Sequence, residues 1–137
     1  MKEIVIPALV ENIDDVTDFV NEQLQELDCP MKAQIQIAVA IDELFGNIAR
    51  YAYDTEGGEA TVRVEGGEDG NSVTITFIDS GKPFDPLKRE DPDVTLSASQ
   101  RNIGGLGIFV VKRTMDNVSY KYEDGKNVLS IQKKFGR

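Results

Sequence analysis

Two pairs of short stretches that alternate apolar and polar residues constrain this chain more than anything else in it. "EATVRVEGG" (59–67) and "NSVTITFID" (71–79) run with period two and are joined by the glycine-rich "GGEDGN". "NVSYKYE" (117–123) and "KNVLSIQKKF" (126–135) flank Asp124-Gly125, a dipeptide suited to the left-handed backbone of a two-residue hairpin turn. Alternation sends successive side chains to opposite faces, so one face of each strand meets a core and the other meets water. Two antiparallel hairpins of this kind need helices on their dry face. The implied class is α+β: a two-layer α/β sandwich with a mixed, mainly antiparallel sheet and helices on one face.

The rest of the chain supplies those helices. Residues 3–8 read as one more strand. "NIDDVTDFVNEQLQEL" puts Val16, Phe19, Val20, Leu24 and Leu27 on one helical face, with Asn12 or Asp14 as N-cap. Pro30 suits the first turn of a second helix, roughly 31–53, "MKAQIQIAVAIDELFGNIARYAY". Apolar residues occupy most of its circumference, which predicts that it is largely buried. The 137 residues are enough for one domain, 1–137, with a core that needs no staples.

Composition excludes several kinds of chemistry. There is no histidine, so a phosphohistidine, a histidine-based triad and a histidine-ligated zinc are all out of reach. Cys29 is the single cysteine, which rules out an internal disulfide and fits a reducing cytoplasm. A net charge of −9 repels phosphate backbones and argues against nucleic acid as a partner. No stretch reads as a signal peptide or a membrane span, so the expected location is the cytoplasm.

Three clusters carry candidate chemistry. Glu43 and Asn47 lie four residues apart on one face of the second helix. They read either as a base beside a metal-ligating oxygen or as a polar rim where the helix leaves the core. Asp42 lies on another face and is the poorer candidate. In "FIDSGKPFDP" (77–86), Asp79 ends an apolar strand and precedes Ser80-Gly81. This is either an ordinary strand exit or an acceptor for an exocyclic amine, with Gly81 letting a base approach the backbone. In "GGLGIFVVKRTMD" (104–116), Gly104, Gly105 and Gly107 open a stretch with helical periodicity. They make either a flexible hinge or a set of free backbone N–H groups for a phosphate. A Rossmann fingerprint fails here because the third glycine is missing and no strand precedes it. A Walker A motif fails because no Gly-Lys-Ser/Thr occurs. About 25 residues of weak periodicity, "GKPFDPLKREDPDVTLSASQRNIGG", separate the second cluster from the third, and a loop that long is usually functional or mobile.

In this order, "DELFGNIARYAY", "DSGKPFDP" and "GGLGIFVVKRTMD" resemble the GHKL ATP-binding proteins, the superfamily of gyrase and the histidine kinases. Within it the chain is similar to the stand-alone anti-sigma factor serine/threonine kinases of bacteria, over nearly its whole length. The resemblance implies Mg²⁺ and ATP as cofactors. It implies that Asn47 ligates the Mg²⁺ and that Glu43 activates the attacking hydroxyl. Asp79 would accept a hydrogen bond from the adenine amino group, with Gly81 and Phe84 in the same nucleotide-binding set. Gly104, Gly105, Leu106 and Gly107 would wrap the phosphates, residues 86–103 would be the ATP lid, and Arg101 would contact the γ-phosphate. Many family members carry histidine four residues after the asparagine; this chain has Tyr51 there. It also has no dimerisation helix with a phosphoacceptor histidine, which argues against a sensor histidine kinase. The implied function is phosphorylation of a small STAS-like anti-sigma antagonist in the control of a sigma factor, often by a homodimer. Two other readings stay open: a nucleotide-gated binding module without phosphotransfer, and a simple ATPase.

Overall fold

The alternating stretches become the strands β2 (Glu59–Gly66), β3 (Ser72–Asp79), β4 (Asn117–Glu123) and β5 (Lys126–Lys134), and β1 (Lys2–Pro7) joins them. Among the described residues three α-helices accompany the strands: α1 (Ile13–Glu26), α2 (Met31–Asn47) and α3 (Leu106–Thr114). The computed structural model describes residues 1–88 and 106–135. The sheet order is β1-β2-β3-β5-β4, and all four pairings are antiparallel. Asp124 and Gly125 have φ of 54° and 76°, the left-handed pair that a tight hairpin requires. That hairpin folds β5 back between β4 and β3. As a result Asp79, the last residue of β3, lies directly across from Asn127 at the start of β5.

The helices cover one face. Val16, Val20 and Leu24 of α1, Ile37, Ile41 and Phe45 of α2, and Val111 of α3 are buried with Val62, Ile75, Phe77 and Ile131 of the sheet. Each such side chain contributes roughly 1.5–3 kcal/mol when fully buried. Asp14 and Asp15 sit in the first turn of α1, where the helix dipole favours negative charge. Asn12 is at the N-cap but its side chain caps nothing. A short 3₁₀ turn, Val10–Asn12, leads into the helix, and Asn12 Nδ2 donates back to the carbonyl of Pro7 instead.

The second helix departs from expectation in two ways. It is α-helical only to Asn47, and Ile48–Ala52 then form a wider π-helical turn. It is also buried on its inner side only. Met31, Ile35 and Val39 form an outward stripe that is 68%, 58% and 45% exposed. A two-layer sandwich has no third layer, so a helix lying between α1 and α3 keeps one face in water whatever residues it carries. Among the described residues, no helix is long and apolar enough to cross a membrane.

Candidate functional site

A cleft opens between α2, the loop after β3 and the start of β5. Its inner part is a small, partly open cavity of about 40 Å³. Leu44, Ile48, Phe77 and Leu129 line it with apolar surface, while Asp79, Tyr120 and Asn127 supply the polar groups. Asp79 and Asn127 are each only 6% exposed. Both share the inward strand parity of Phe77 and Leu129 respectively, so both replace an apolar side chain of the core. Such replacements are tolerated only where the polar atoms find partners.

These do. Asp79 Oδ1 accepts from the Gly81 N–H at 2.9 Å and from Asn127 Nδ2 at 2.9 Å. Asn127 Nδ2 also donates to the Lys82 carbonyl at 2.9 Å and, at 3.4 Å, to that of Gly81. Asn127 Oδ1 accepts from the Phe84 N–H at 3.1 Å and from the Tyr120 hydroxyl. The Ser80 N–H donates to the Tyr53 hydroxyl, which itself donates to the Glu59 carbonyl. The Lys82 N–H donates to the Ala52 carbonyl in the π-turn. Every N–H from Ser80 to Phe84 is therefore bonded, residue 83 being proline and having none. Burial pushes the phenols of Tyr53 and Tyr120 above their ordinary range, and neighbouring carboxylates, Asp79 among them, push the same way. Both hydroxyls are thus protonated donors at neutral pH.

Gly81 is required by packing. A Cβ there would lie 2.2 Å from the Ala52 carbonyl oxygen in the π-turn. Among the described residues, Asp79 Oδ2 accepts no hydrogen bond and Asp79 lines the cavity. The pocket thus offers one carboxylate oxygen beside a mainly apolar surface.

The outer part of the cleft is wider and polar. Glu43, Asn47 and Arg50 reach it from α2 and the π-turn, Lys82 and Lys88 from the loop after β3, and Gly107 from α3. Asn47 Nδ2 donates to Glu43 Oε1 at 3.3 Å, which leaves Asn47 Oδ1 available as an acceptor or metal ligand. A Cβ on Gly107 would lie 1.9 Å from Glu43 Oε2. The carboxylate occupies the space that a side chain would fill, against the first turn of α3, where a negative charge is favoured. Among the described residues no cluster of three or more acidic or cysteine side chains could hold a metal unaided. The lone amide oxygen of Asn47 would suit a hard cation such as Mg²⁺, which takes one or two protein oxygens and completes its shell with phosphate and water.

Glu43, Asn47, Asp79, Phe84 and Gly107 therefore surround one cleft. Arg101, Gly104, Gly105 and lid residues 89–103 lie outside the described residues, as does the side chain of Leu106. Asp42 lines only the neighbouring outer groove with Val39 and Val110. Sequence reasoning missed Asn127, Arg50 and Tyr53. The signal for Asn127 was present, since it shares inward parity with Leu129 and Ile131 on a strand that alternates cleanly.

Comparison with known proteins gives a consistent result. A model of the family described as histidine kinase-like ATPase domain matches residues 6–133. The serine-protein kinase RsbW of Listeria monocytogenes serovar 1/2a is 33% identical over 98 residues, 68% of this chain and 61% of that protein. The chain thus spans less than two thirds of that relative's length. An anti-sigma F factor of Thermoanaerobacter sp. is 24% identical over 110 residues, 80% of this chain and 76% of the relative. Among solved structures, the RsbU and RsbW domains of Rv1364c from Mycobacterium tuberculosis superpose with a TM-score of 0.69 at 16% identity, over 100% of this chain and 33% of that one. That last likeness concerns the fold.

Proposed function

The chain belongs to the histidine kinase-like ATPase domain family and resembles its anti-sigma kinases, and from that membership we propose that it is an ATP-dependent serine/threonine protein kinase. Its substrate is the hydroxyl of a small anti-sigma antagonist protein, and the process it serves is control of a sigma factor. The observation that supports this most is the buried Asp79, which lines the inner cavity and has one oxygen without a hydrogen bond among the described residues. The outer cleft, where Arg50, Lys82 and Lys88 stand beside Glu43 and Asp85, offers cations to a polyphosphate on a protein of net charge −9.

The residues divide the work. Asp79 accepts from the adenine amino group, and the apolar walls exclude water from the base. Asn47 Oδ1 would hold Mg²⁺, which would neutralise phosphate charge when bound. Glu43 takes the proton from the acceptor serine or threonine as its oxygen bonds to the γ-phosphorus. The bond from that phosphorus to the β,γ-bridging oxygen breaks, and ADP leaves with the electron pair. Positioning and charge neutralisation carry most of such a reaction.

The test is incubation of the purified chain with γ-labelled ATP and Mg²⁺, alone and with the small protein that co-purifies with it from its native cell. Label on a serine or threonine of the partner supports a kinase. Release of labelled phosphate without partner labelling means an ATPase. Retention of unchanged ATP with partner capture means a nucleotide-gated module.

A further inference from the structure

Hydrogen-bond direction around Asn127 fixes more than the shape of the loop. The Phe84 N–H can only donate, so Asn127 must turn its oxygen toward it. The Lys82 carbonyl can only accept, so the amide nitrogen must face the other way. The side chain cannot flip without placing N–H against N–H and oxygen against oxygen. It therefore presents an N–H, and never an acceptor, to Asp79. The Gly81 N–H approaches the same carboxylate oxygen. Two immovable donors hold Oδ1, and Oδ2 alone is left for the cavity.

We propose that Asn127 is the positioning residue that sets purine selectivity. It locks Asp79 in one orientation, so that the pocket offers a fixed acceptor and selects a 6-amino purine over a 6-oxo purine. This rests on the nucleotide-binding reading above. A carboxylate free to turn could instead meet the N1–H of a 6-oxo purine, and discrimination would be lost. Held by Asn127, it meets the 6-position of the base, where an amino group donates and an oxo group repels. Asn127 reaches the base only through Asp79.

The lock makes a prediction that a merely structural role does not. In Asp79→Asn, the new amide must turn its oxygen toward the donors from Asn127 and Gly81. Its N–H₂ then faces the cavity and reverses the polarity of the site. The experiment measures affinities for ATP and inosine triphosphate by calorimetry in the wild type, in Asp79→Asn and in Asp79→Asn/Asn127→Ser. Thermal melts confirm that each variant is folded. The wild type should favour ATP. Asp79→Asn should weaken ATP by about 10- to 100-fold and bind inosine triphosphate better than the wild type does, so that the preference inverts. The double variant should show a weaker inversion, because only the Gly81 N–H then holds the amide oxygen. If the double variant does not fold, Asn127→Ser alone decides, since it should narrow the preference for ATP over inosine triphosphate, and an unchanged preference would overturn the lock. Loss of affinity for both nucleotides in Asp79→Asn, without inversion, would overturn the lock while leaving ATP binding by the wild type intact. A wild type that binds neither nucleotide would overturn the ATP reading itself.

Discussion

The two ends of the cleft are built in opposite ways. At the inner end, a loop of five residues is tied by its own amides to Asp79, Tyr53, Ala52 and Asn127, groups drawn from β3, β5 and the π-turn with its following residue. At the outer end, Glu43 and Asn47 share one helix face and a single hydrogen bond of 3.3 Å. Arg50, Lys82 and Lys88 stand around them on the wall of an open space. The first arrangement is complete without a ligand. The second presents an amide oxygen and several cations to the open cleft. A base is rigid and uncharged, and a preformed slot discriminates it at little cost in ordering. A polyphosphate with its cation brings its own charge, and it can organise the groups around it on binding.

Breaking the outer end should disturb chemistry more than binding. Glu43→Gln keeps the shape and removes the basicity. It should lower phosphotransfer by about 10²–10⁴-fold while Mg·ATP affinity stays near normal, as measured by single-turnover transfer to the true partner and by calorimetry. Wild-type transfer in this variant would move the base elsewhere. Asn47→Ala should remove the Mg²⁺-dependent part of ATP affinity and leave binding in chelator unchanged. A titration in which Mg²⁺ still strengthens binding as in the wild type would contradict the metal assignment.

Breaking the inner end should disturb binding and folding together. Gly81→Ala drives a methyl group into the Ala52 carbonyl, 2.2 Å away. A backbone partner cannot swing aside, so the substitution should cost about 1–3 kcal/mol of stability, as overpacking usually does, read from a denaturant titration. An unchanged midpoint would show that the π-turn and the loop are not in rigid contact. Tyr53→Phe removes the hydroxyl that bridges Ser80 and Glu59. With a net worth of about 0.5–1.5 kcal/mol per hydrogen bond, ATP affinity should fall by about 2- to 10-fold, with phosphotransfer at saturating ATP unaffected. A loss of transfer without a loss of affinity would erase the division between the two ends.

How much of this could be read from the chain depends on the range of the interaction. Period two along 59–79 and 117–135 gave the strands and hairpins, because alternation is a local consequence of which face is dry. Glu43 and Asn47 were legible as a pair because a helix places residues four apart side by side. Asn127 was not connected to Asp79, because they are 48 residues apart and meet only once the β4–β5 hairpin has folded β5 against β3. Gly107 was expected to face phosphate. That its bare Cα also makes room for Glu43 depends on how α3 settles against α2, which no local pattern encodes. The outward stripe of Met31, Ile35 and Val39 was misjudged for a related reason. Helix hydrophobicity reports an average, whereas burial depends on how many layers the fold has.

The central claim is that the inner end is formed before any nucleotide arrives. Amide hydrogen exchange of the nucleotide-free protein tests it most directly, residue by residue, at Ser80, Gly81, Lys82 and Phe84. The bonds those amides make predict protection comparable to that of β3, with little further change when Mg·ATP is added. Exchange at the rate of a free peptide in the absence of nucleotide, with protection appearing only in its presence, would contradict the account.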